Sequence, residues 1–119
     1  MPPTILIVED DRALASTLEI ALAPLGDVAV AHDGAQAQAF LETNTAPAAV
    51  ITDLDLPRVD GCQLIVWMRS TPALLLVPIL AMSARNEEPA ALAAGANRFI
   101  LKPFRLAQVR ERLQELLNV

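Results

Sequence analysis

Carboxylate side chains directly follow two short apolar segments of this 119-residue chain. Glu9 and Asp10 come after residues 5–8, and Asp53 comes after residues 49–52. In open α/β sheets, ligand sites lie beyond the carboxyl ends of the strands. If the two segments are neighbouring strands, the three carboxylates meet at one edge of the sheet.

A hydroxyl and an ammonium group stand in equivalent positions later in the chain. Ser83 follows the apolar residues 77–82, and Lys102 follows residues 99–101. Both segments are apolar and contain Ile and Leu, as buried strands do. The sequence therefore predicts one polar site on an apolar scaffold.

Carboxylates that converge repel one another, so either their pKa values rise or a cation neutralises them. Three acids in a cleft open to water form a hard oxygen site that suits Mg²⁺ or Mn²⁺. A metal ion, Lys102 and Ser83 around one carboxylate would match phosphoryl transfer, which depends on positioning and charge neutralisation. Asp53 is then the predicted nucleophile, and it would become an acyl phosphate.

The composition indicates one globular domain over residues 1–119, with 54% hydrophobic residues and few aromatic ones. A net charge of −5 argues against direct binding of nucleic acid, which needs clustered Lys and Arg. The single cysteine, Cys62, excludes an internal disulfide and a thiolate metal cluster. With no apolar stretch of membrane-spanning length and no signal segment, we expect a cytoplasmic protein that does not enter membranes.

Segments of helical period alternate with the apolar segments. Asp11 is a candidate cap for a first helix with Leu14, Leu18 and Leu22 on one face, and the last helix presents its apolar face from Leu106 onward. The intervening helices are predicted at about residues 35–43, 62–69 and 89–94, and a short second strand at residues 28–30.

Five strands that alternate with five helices, and that are too apolar for a one-sided sheet, predict a parallel sheet with helices on both faces. Right-handed crossovers and the chain length favour the flavodoxin-like strand order 2-1-3-4-5. Strands one and three are neighbours in that order. Glu9, Asp10 and Asp53 would therefore converge.

The chemistry-bearing segments resemble the receiver domains of response regulators in two-component signalling, the CheY-like family. The matching segments are residues 5–11 (ILIVEDD), 52–57 (TDLDLP) with Asp60 and Gly61, 82–84 (MSA), 95–96 (GA) and 101–104 (LKPF). They occur in the family's order, at the predicted strand ends, over essentially the whole chain. The resemblance implies a phosphorylation-controlled signalling switch.

The resemblance assigns the acceptor and the metal ligands. Asp53 would accept a phosphoryl group from a phosphohistidine on a histidine kinase or phosphotransfer protein. Glu9 and Asp10 would hold Mg²⁺ together with Asp53 and the backbone carbonyl of Asp55.

Four further roles follow from the same resemblance. Lys102 would pair with the phosphoryl oxygens, and Ser83 would swing in to hydrogen-bond them. Phe99 matches the switch aromatic that turns inward when the hydroxyl moves. Ala84 is the small residue that leaves room for the phosphoryl donor.

Two features depart from the family's pattern. The stretch between Ser83 and Gly95 is short and contains Pro89, which predicts a fourth helix of about two turns. A fourth helix that is partly unwound is the other reading of this stretch. This helix, strand five and the last helix would form the face that binds an output domain, a partner protein or a second copy. Asp55 and Arg85 occupy positions that tune loss of the phosphoryl group, and we expect them to form an ion pair that hinders the attacking water.

Two other functions remain open from the sequence. Asp53-Leu-Asp55 is also similar to the motif of haloacid-dehalogenase-type phosphatases, which form an aspartyl phosphate and use a Ser or Thr and a Lys. A non-phosphorylated docking module is the third reading, although neither the acceptor nor the lysine is missing. The apolar run at residues 64–68 leaves Val66 or Trp67 exposed unless the connection at residues 74–76 covers them.

Overall fold

Five parallel strands form one sheet in the computed structural model, which describes residues 3–118. The strands are β1 (Thr4–Val8), β2 (Asp27–Ala31), β3 (Ala49–Asp53), β4 (Ile79–Ser83) and β5 (Arg98–Leu101). The helices are α1 (Arg12–Leu22), α2 (Gly34–Thr43), α3 (Gly61–Arg69), α4 (Glu88–Ala94) and α5 (Leu106–Leu117). The strand order is β2-β1-β3-β4-β5, which confirms the predicted flavodoxin-like topology.

Side chains that alternate along the strands build a separate apolar core on each face of the sheet. Ile7 and Ile51 belong to the core that also contains the buried leucines of α1 and α5. Leu6 and Val50 belong to the core on the side of α2, α3 and α4. Because both faces are covered, the strands are apolar apart from the buried Thr52 and the polar residues at their first or last positions.

Three aspartates near the site edge hold helix N-termini. Asp11 accepts hydrogen bonds from the backbone of Ala13 and Leu14, at 3.0 and 3.2 Å. Asp33 caps α2, and Asp60 forms a capping box at the start of α3. Such caps satisfy amide groups that have no partner inside the helix. These carboxylates therefore orient helices and are distinct from the acidic cluster.

Two boundaries show how proline limits the regular elements. The fourth strand begins at Ile79, two residues later than predicted, after Pro78, which has no backbone N–H to donate to a sheet. The fourth helix has 7 residues with Pro89 in its first turn, as its predicted length of about two turns requires. Within residues 3–118, no helix combines the length and apolar character needed to cross a membrane.

The apolar run in α3 is only partly covered. Trp67 packs against the core on its side of the sheet, whereas Val66 is 52% exposed. Leu74 is buried, but Leu76 is 90% exposed. The connection after α3 thus leaves Val66 open to solvent.

Candidate active site

The acidic cluster lies where β1 and β3 end side by side. The register pairs Val8 with Thr52, which places the residues that follow, Glu9 and Asp53, next to each other. Glu9, Asp10 and Asp53 each offer a carboxylate oxygen, and these oxygens lie within 4.8 Å of one another. The predicted convergence of the three acids is present in the structure.

Lys102 reaches this cluster from the end of β5. Its Nζ lies 2.8 Å from Glu9 Oε1 and 2.5 Å from Asp53 Oδ2. Its backbone N–H donates to the carbonyl of Ser83 at 2.8 Å, which continues the β4–β5 pairing by one residue. Lys102 is the chain's only lysine. One ammonium group therefore bridges the two buried carboxylates.

Burial and hydrogen bonding shift the ionisation of these groups in specific directions. Loss of hydration raises the pKa of Glu9 to about 7, although its hydrogen bond from Lys102 opposes the shift. Burial acts to lower the pKa of Lys102, but hydrogen bonds to Asp53 and Glu9 outweigh it and raise that pKa. Lys102 is therefore a fixed positive charge, while the protonation of Glu9 changes near neutral pH.

Ser83, the last residue of β4, is fully buried and has several polar partners. Its hydroxyl donates to Glu87 Oε2 at 2.7 Å and lies 3.3 Å from Asp55 Oδ2. The backbone N–H of Arg85 donates to Ser83 Oγ at 3.1 Å. The hydroxyl thus forms hydrogen bonds with two residues of the loop between β4 and α4.

Asp55 and Arg85 form the predicted ion pair, with Arg85 Nη2 at 2.7 Å from Asp55 Oδ1. The same guanidinium nitrogen lies 3.3 Å from Glu87 Oε1. The Arg85 side chain is 69% exposed, so solvent weakens its attraction to both carboxylates. The pair lies at the rim of the site and closes one side of a cleft of about 500 Å³ that also contains Asp10 and Cys62.

A second cleft, of about 490 Å³, is lined by Lys102. Exposed Ala84 lines it together with Leu14 and Phe104. The register pairs Phe99 with Ala81, two residues before Ser83, and Phe99 is partly buried against the core on the α4 side. Phe99 therefore lies on the strand next to that of Ser83, opposite the residue two positions before the serine.

Glu87 is a site residue that the sequence reasoning missed. Its carboxylate bonds both Ser83 and Arg85, and its backbone carbonyl accepts the first hydrogen bond of α4 from Ala91 at 2.9 Å. The available signal was an acid four residues after the predicted switch serine, immediately before a helix that starts with Glu88 and Pro89. Only the fold shows that the loop turns this acid back onto the serine.

A doubly wound sheet with three converging carboxylates and a lysine at its carboxyl edge defines a receiver-type α/β domain. The family model for the response regulator receiver domain matches residues 5–114. This chain therefore belongs to the response regulator receiver family, which comprises signalling switches of two-component systems.

Curated relatives support the family assignment. The response regulator MprA of Mycobacterium sp. (strain KMS) is 40% identical over 122 residues, covering 99% of this chain and 52% of MprA. The MprA of Mycobacterium bovis (strain BCG / Pasteur 1173P2) is 38% identical over the same length. This chain thus spans about half the length of the curated relatives it matches.

Solved structures agree at the level of the whole fold. The receiver domain of the sensor histidine kinase PA1611 from Pseudomonas aeruginosa PAO1 is 30% identical with a TM-score of 0.89, and each chain is covered to 100%. That crystal structure has a magnesium ion coordinated in its active-site cleft. The receiver domain of a histidine kinase from Syntrophus aciditrophicus is 28% identical with a TM-score of 0.89, covering 98% of this chain and 90% of that one.

Proposed function

We propose that residues 1–119 form one receiver domain in which Asp53 accepts a phosphoryl group from a histidine kinase or phosphotransfer protein. The observation that carries this proposal is the contact of Lys102 with both Asp53 and Glu9 inside the acidic cluster. A buried carboxylate between a fixed ammonium group and two further acids is arranged to receive an anionic group together with a cation.

The donor set fits Mg²⁺ or Mn²⁺. Glu9, Asp10 and Asp53 supply hard carboxylate oxygens, and the cluster carries more negative charge than Lys102 neutralises. We assign these three side chains and the backbone carbonyl of Asp55 as the metal ligands. When bound, the cation would neutralise negative charge on the phosphoryl oxygens.

Proton competition at Glu9 makes the affinity for Mg²⁺ depend on pH. With a pKa of about 7, Glu9 is mostly protonated at lower pH, and a protonated carboxyl is a poor ligand for a divalent cation. The affinity should therefore rise as pH increases, by about tenfold between about pH 6 and pH 8, and level off above that range. Calorimetric titration with Mg²⁺ across this range measures the change.

Glu9→Gln is the matched control, because it removes the titrating group and keeps the shape of the side chain. It should bind Mg²⁺ weakly and show little change in affinity from about pH 6 to pH 8. A wild-type affinity that is constant over that range would contradict the assignment of Glu9 as a ligand that must lose a proton.

The chain's own residues can carry out the transfer step. A carboxylate oxygen of Asp53 attacks the phosphorus of the donor's phosphohistidine, the P–N bond breaks, and the neutral imidazole leaves with the proton it requires from solvent. Lys102 is positioned to pair with phosphoryl oxygens that arrive at Asp53 Oδ2, and Ser83, once moved inward, would supply a hydroxyl donor. The domain would in this way promote its own phosphorylation and dephosphorylation.

The output of the switch is assigned to the face of α4, β5 and α5. Movement of Ser83 toward the phosphoryl group and of Phe99 into the space behind it would change this face. An output domain, a partner protein or a second copy of the chain would read the change. We further infer that the domain is cytoplasmic, since the proposed kinase donor would draw its phosphoryl group from the nucleotide of that compartment.

The Asp55–Arg85 pair is expected to slow the loss of the phosphoryl group by restricting access of water to Asp53. Asp55→Ala should accelerate autodephosphorylation by about two- to fivefold, the range that corresponds to a solvent-exposed ion pair of up to about 1 kcal/mol. Phosphate release from phosphorylated protein, measured with and without Mg²⁺, gives the rate. Arg85→Ala should have a similar effect. An unchanged lifetime of the phosphorylated form in both variants would show that the ion pair does not restrict access of water to Asp53.

The phosphatase reading is not favoured by the family match. A receiver domain should release little phosphate from a generic ester such as p-nitrophenyl phosphate in the presence of Mg²⁺, because its phosphorylated state is the signal and not a step in turnover. Sustained turnover that is lost in Asp53→Asn would favour a phosphatase.

A further inference from the structure

The hydroxyl of Ser83 is engaged by an acid that has no place in the phosphoryl-transfer scheme. Ser83 Oγ donates to Glu87 Oε2 at 2.7 Å, while its distance to the next acceptor, Asp55 Oδ2, is 3.3 Å. A serine hydroxyl has a single proton to donate. The short bond to Glu87 therefore uses the donor that a phosphoryl group on Asp53 would need.

We propose that Glu87 is a latch that holds Ser83 away from Asp53 in the unphosphorylated protein. This inference rests on the proposed function, since it concerns how the same site is regulated. Ser83 is fully buried, so water does not substitute freely for either acceptor. A hydrogen bond to a charged group is stronger than one between neutral groups, and the phosphoryl group must compete with it.

The turn from Arg85 to Glu87 positions the latch, and the exposed guanidinium adds a weak contact. Its Nη2 contacts Glu87 Oε1 at 3.3 Å, which leaves the other carboxylate oxygen directed at Ser83. The backbone N–H of Glu87 donates to the carbonyl of Arg85 at 2.8 Å and closes a tight turn between the two residues. The loop thus orients the Glu87 carboxylate, and this orientation allows it to accept the hydrogen bond from Ser83.

The latch also connects the site to the start of α4. Ala91 donates the first hydrogen bond of this helix to the carbonyl of Glu87. At the other end of the helix, Arg69 Nε donates to the carbonyl of Gly95 at 2.9 Å and Arg69 Nη1 to that of Val77 at 2.9 Å. With its C-terminal end held, the 7-residue helix would respond to release of Glu87 mainly at its N-terminal end.

Removal of the latch should make the phosphorylated form easier to reach. Beryllofluoride, a mimic of the phosphoryl group on a carboxylate, serves as the probe, with Mg²⁺ present and binding followed by NMR. Glu87→Ala should bind it about three- to tenfold more tightly than wild type, because Ser83 no longer has to give up a charge-assisted bond. Glu87→Gln keeps an acceptor without the charge and should fall between the two.

Two controls separate the latch from a general effect of negative charge. Glu88→Ala removes an exposed acid at the next position, and its affinity should stay within about twofold of wild type because solvent screens exposed charges. In a Ser83→Ala background, Glu87→Ala should produce no further gain, since the competing hydroxyl is gone.

The outcomes distinguish failure of the latch from failure of the site. If wild type binds beryllofluoride and Asp53→Asn does not, the acceptor assignment stands. Glu87→Ala affinity equal to wild type, an equal gain in Glu88→Ala, or a gain that persists without Ser83 would then overturn the latch alone. Wild-type protein that does not bind the probe, or that binds it as well in Asp53→Asn, would overturn the proposed function and the latch with it.

Discussion

Lys102→Met is expected to lower the rate of Asp53 phosphorylation by about 100-fold or more, the usual cost of removing one donor that stabilises developing negative charge. The same substitution should strengthen Mg²⁺ binding. In the structure, the ammonium group lies 2.5 Å from Asp53 Oδ2 and 2.8 Å from Glu9 Oε1, where it opposes the approach of a second cation. The phosphorylation rate and the Mg²⁺ affinity should therefore change in opposite directions.

Arg98→Met is the matched control for this substitution. Arg98 begins β5 and is exposed, and its side chain donates to the carbonyl of its neighbour Asn97. The variant loses one positive charge from the start of the strand that precedes Lys102, without touching the acidic cluster, so both measurements should stay near wild type. Rapid phosphorylation of Lys102→Met by acetyl phosphate would show that the ammonium group is dispensable.

Gly61→Ala is expected to destabilise the folded protein by about 3 kcal/mol, within the range for overpacking a site that has no free space. A Cβ atom at Gly61 would lie 2.2 Å from the backbone carbonyl oxygen of Asp53 and 2.5 Å from the Cα of Leu54. Both are backbone atoms and have no alternative rotamer. Either α3 or the end of β3 must move, so the acceptor should be displaced as well.

Urea denaturation measures the loss of stability, and the rate of phosphorylation by acetyl phosphate shows whether Asp53 is displaced. Val66→Ala is the control on the exposed side of the same helix, and it should change stability by less than about 0.5 kcal/mol and leave phosphorylation unchanged. Wild-type stability and phosphorylation in Gly61→Ala would show that α3 approaches β3 less closely than the structure indicates.

The parallel fold could be predicted because the local sequence shows short apolar segments, each followed by polar residues, in alternation with segments of helical period. Continuous apolar strands are compatible only with a sheet covered on both faces, and the polar residues that follow them mark the carboxyl edge. That edge brings Glu9, Asp10 and Asp53 together whatever the details of the loops. The start of β4 was harder to predict, because Val77, which precedes the strand, is as apolar as the residues that follow Pro78.

The contacts around Ser83 depend on loop geometry and were only partly predictable. The Asp55–Arg85 contact could be predicted because each residue lies two positions after a predicted site residue, Asp53 or Ser83. The bond from Ser83 to Glu87 depends on the turn from residue 85 to 87, which no periodicity in the sequence specifies. The same holds for Arg69, which donates to several backbone carbonyls that are distant in sequence.

The most direct test of the central claim is the intact mass of the protein after incubation with Mg²⁺ and acetyl phosphate, with Asp53→Ala measured in parallel. The proposed function predicts a gain of one phosphoryl group, about 80 Da, in the wild type, and no gain in the variant or when Mg²⁺ is chelated. An adduct of the same mass in Asp53→Ala, or one that forms equally well without Mg²⁺, would contradict it.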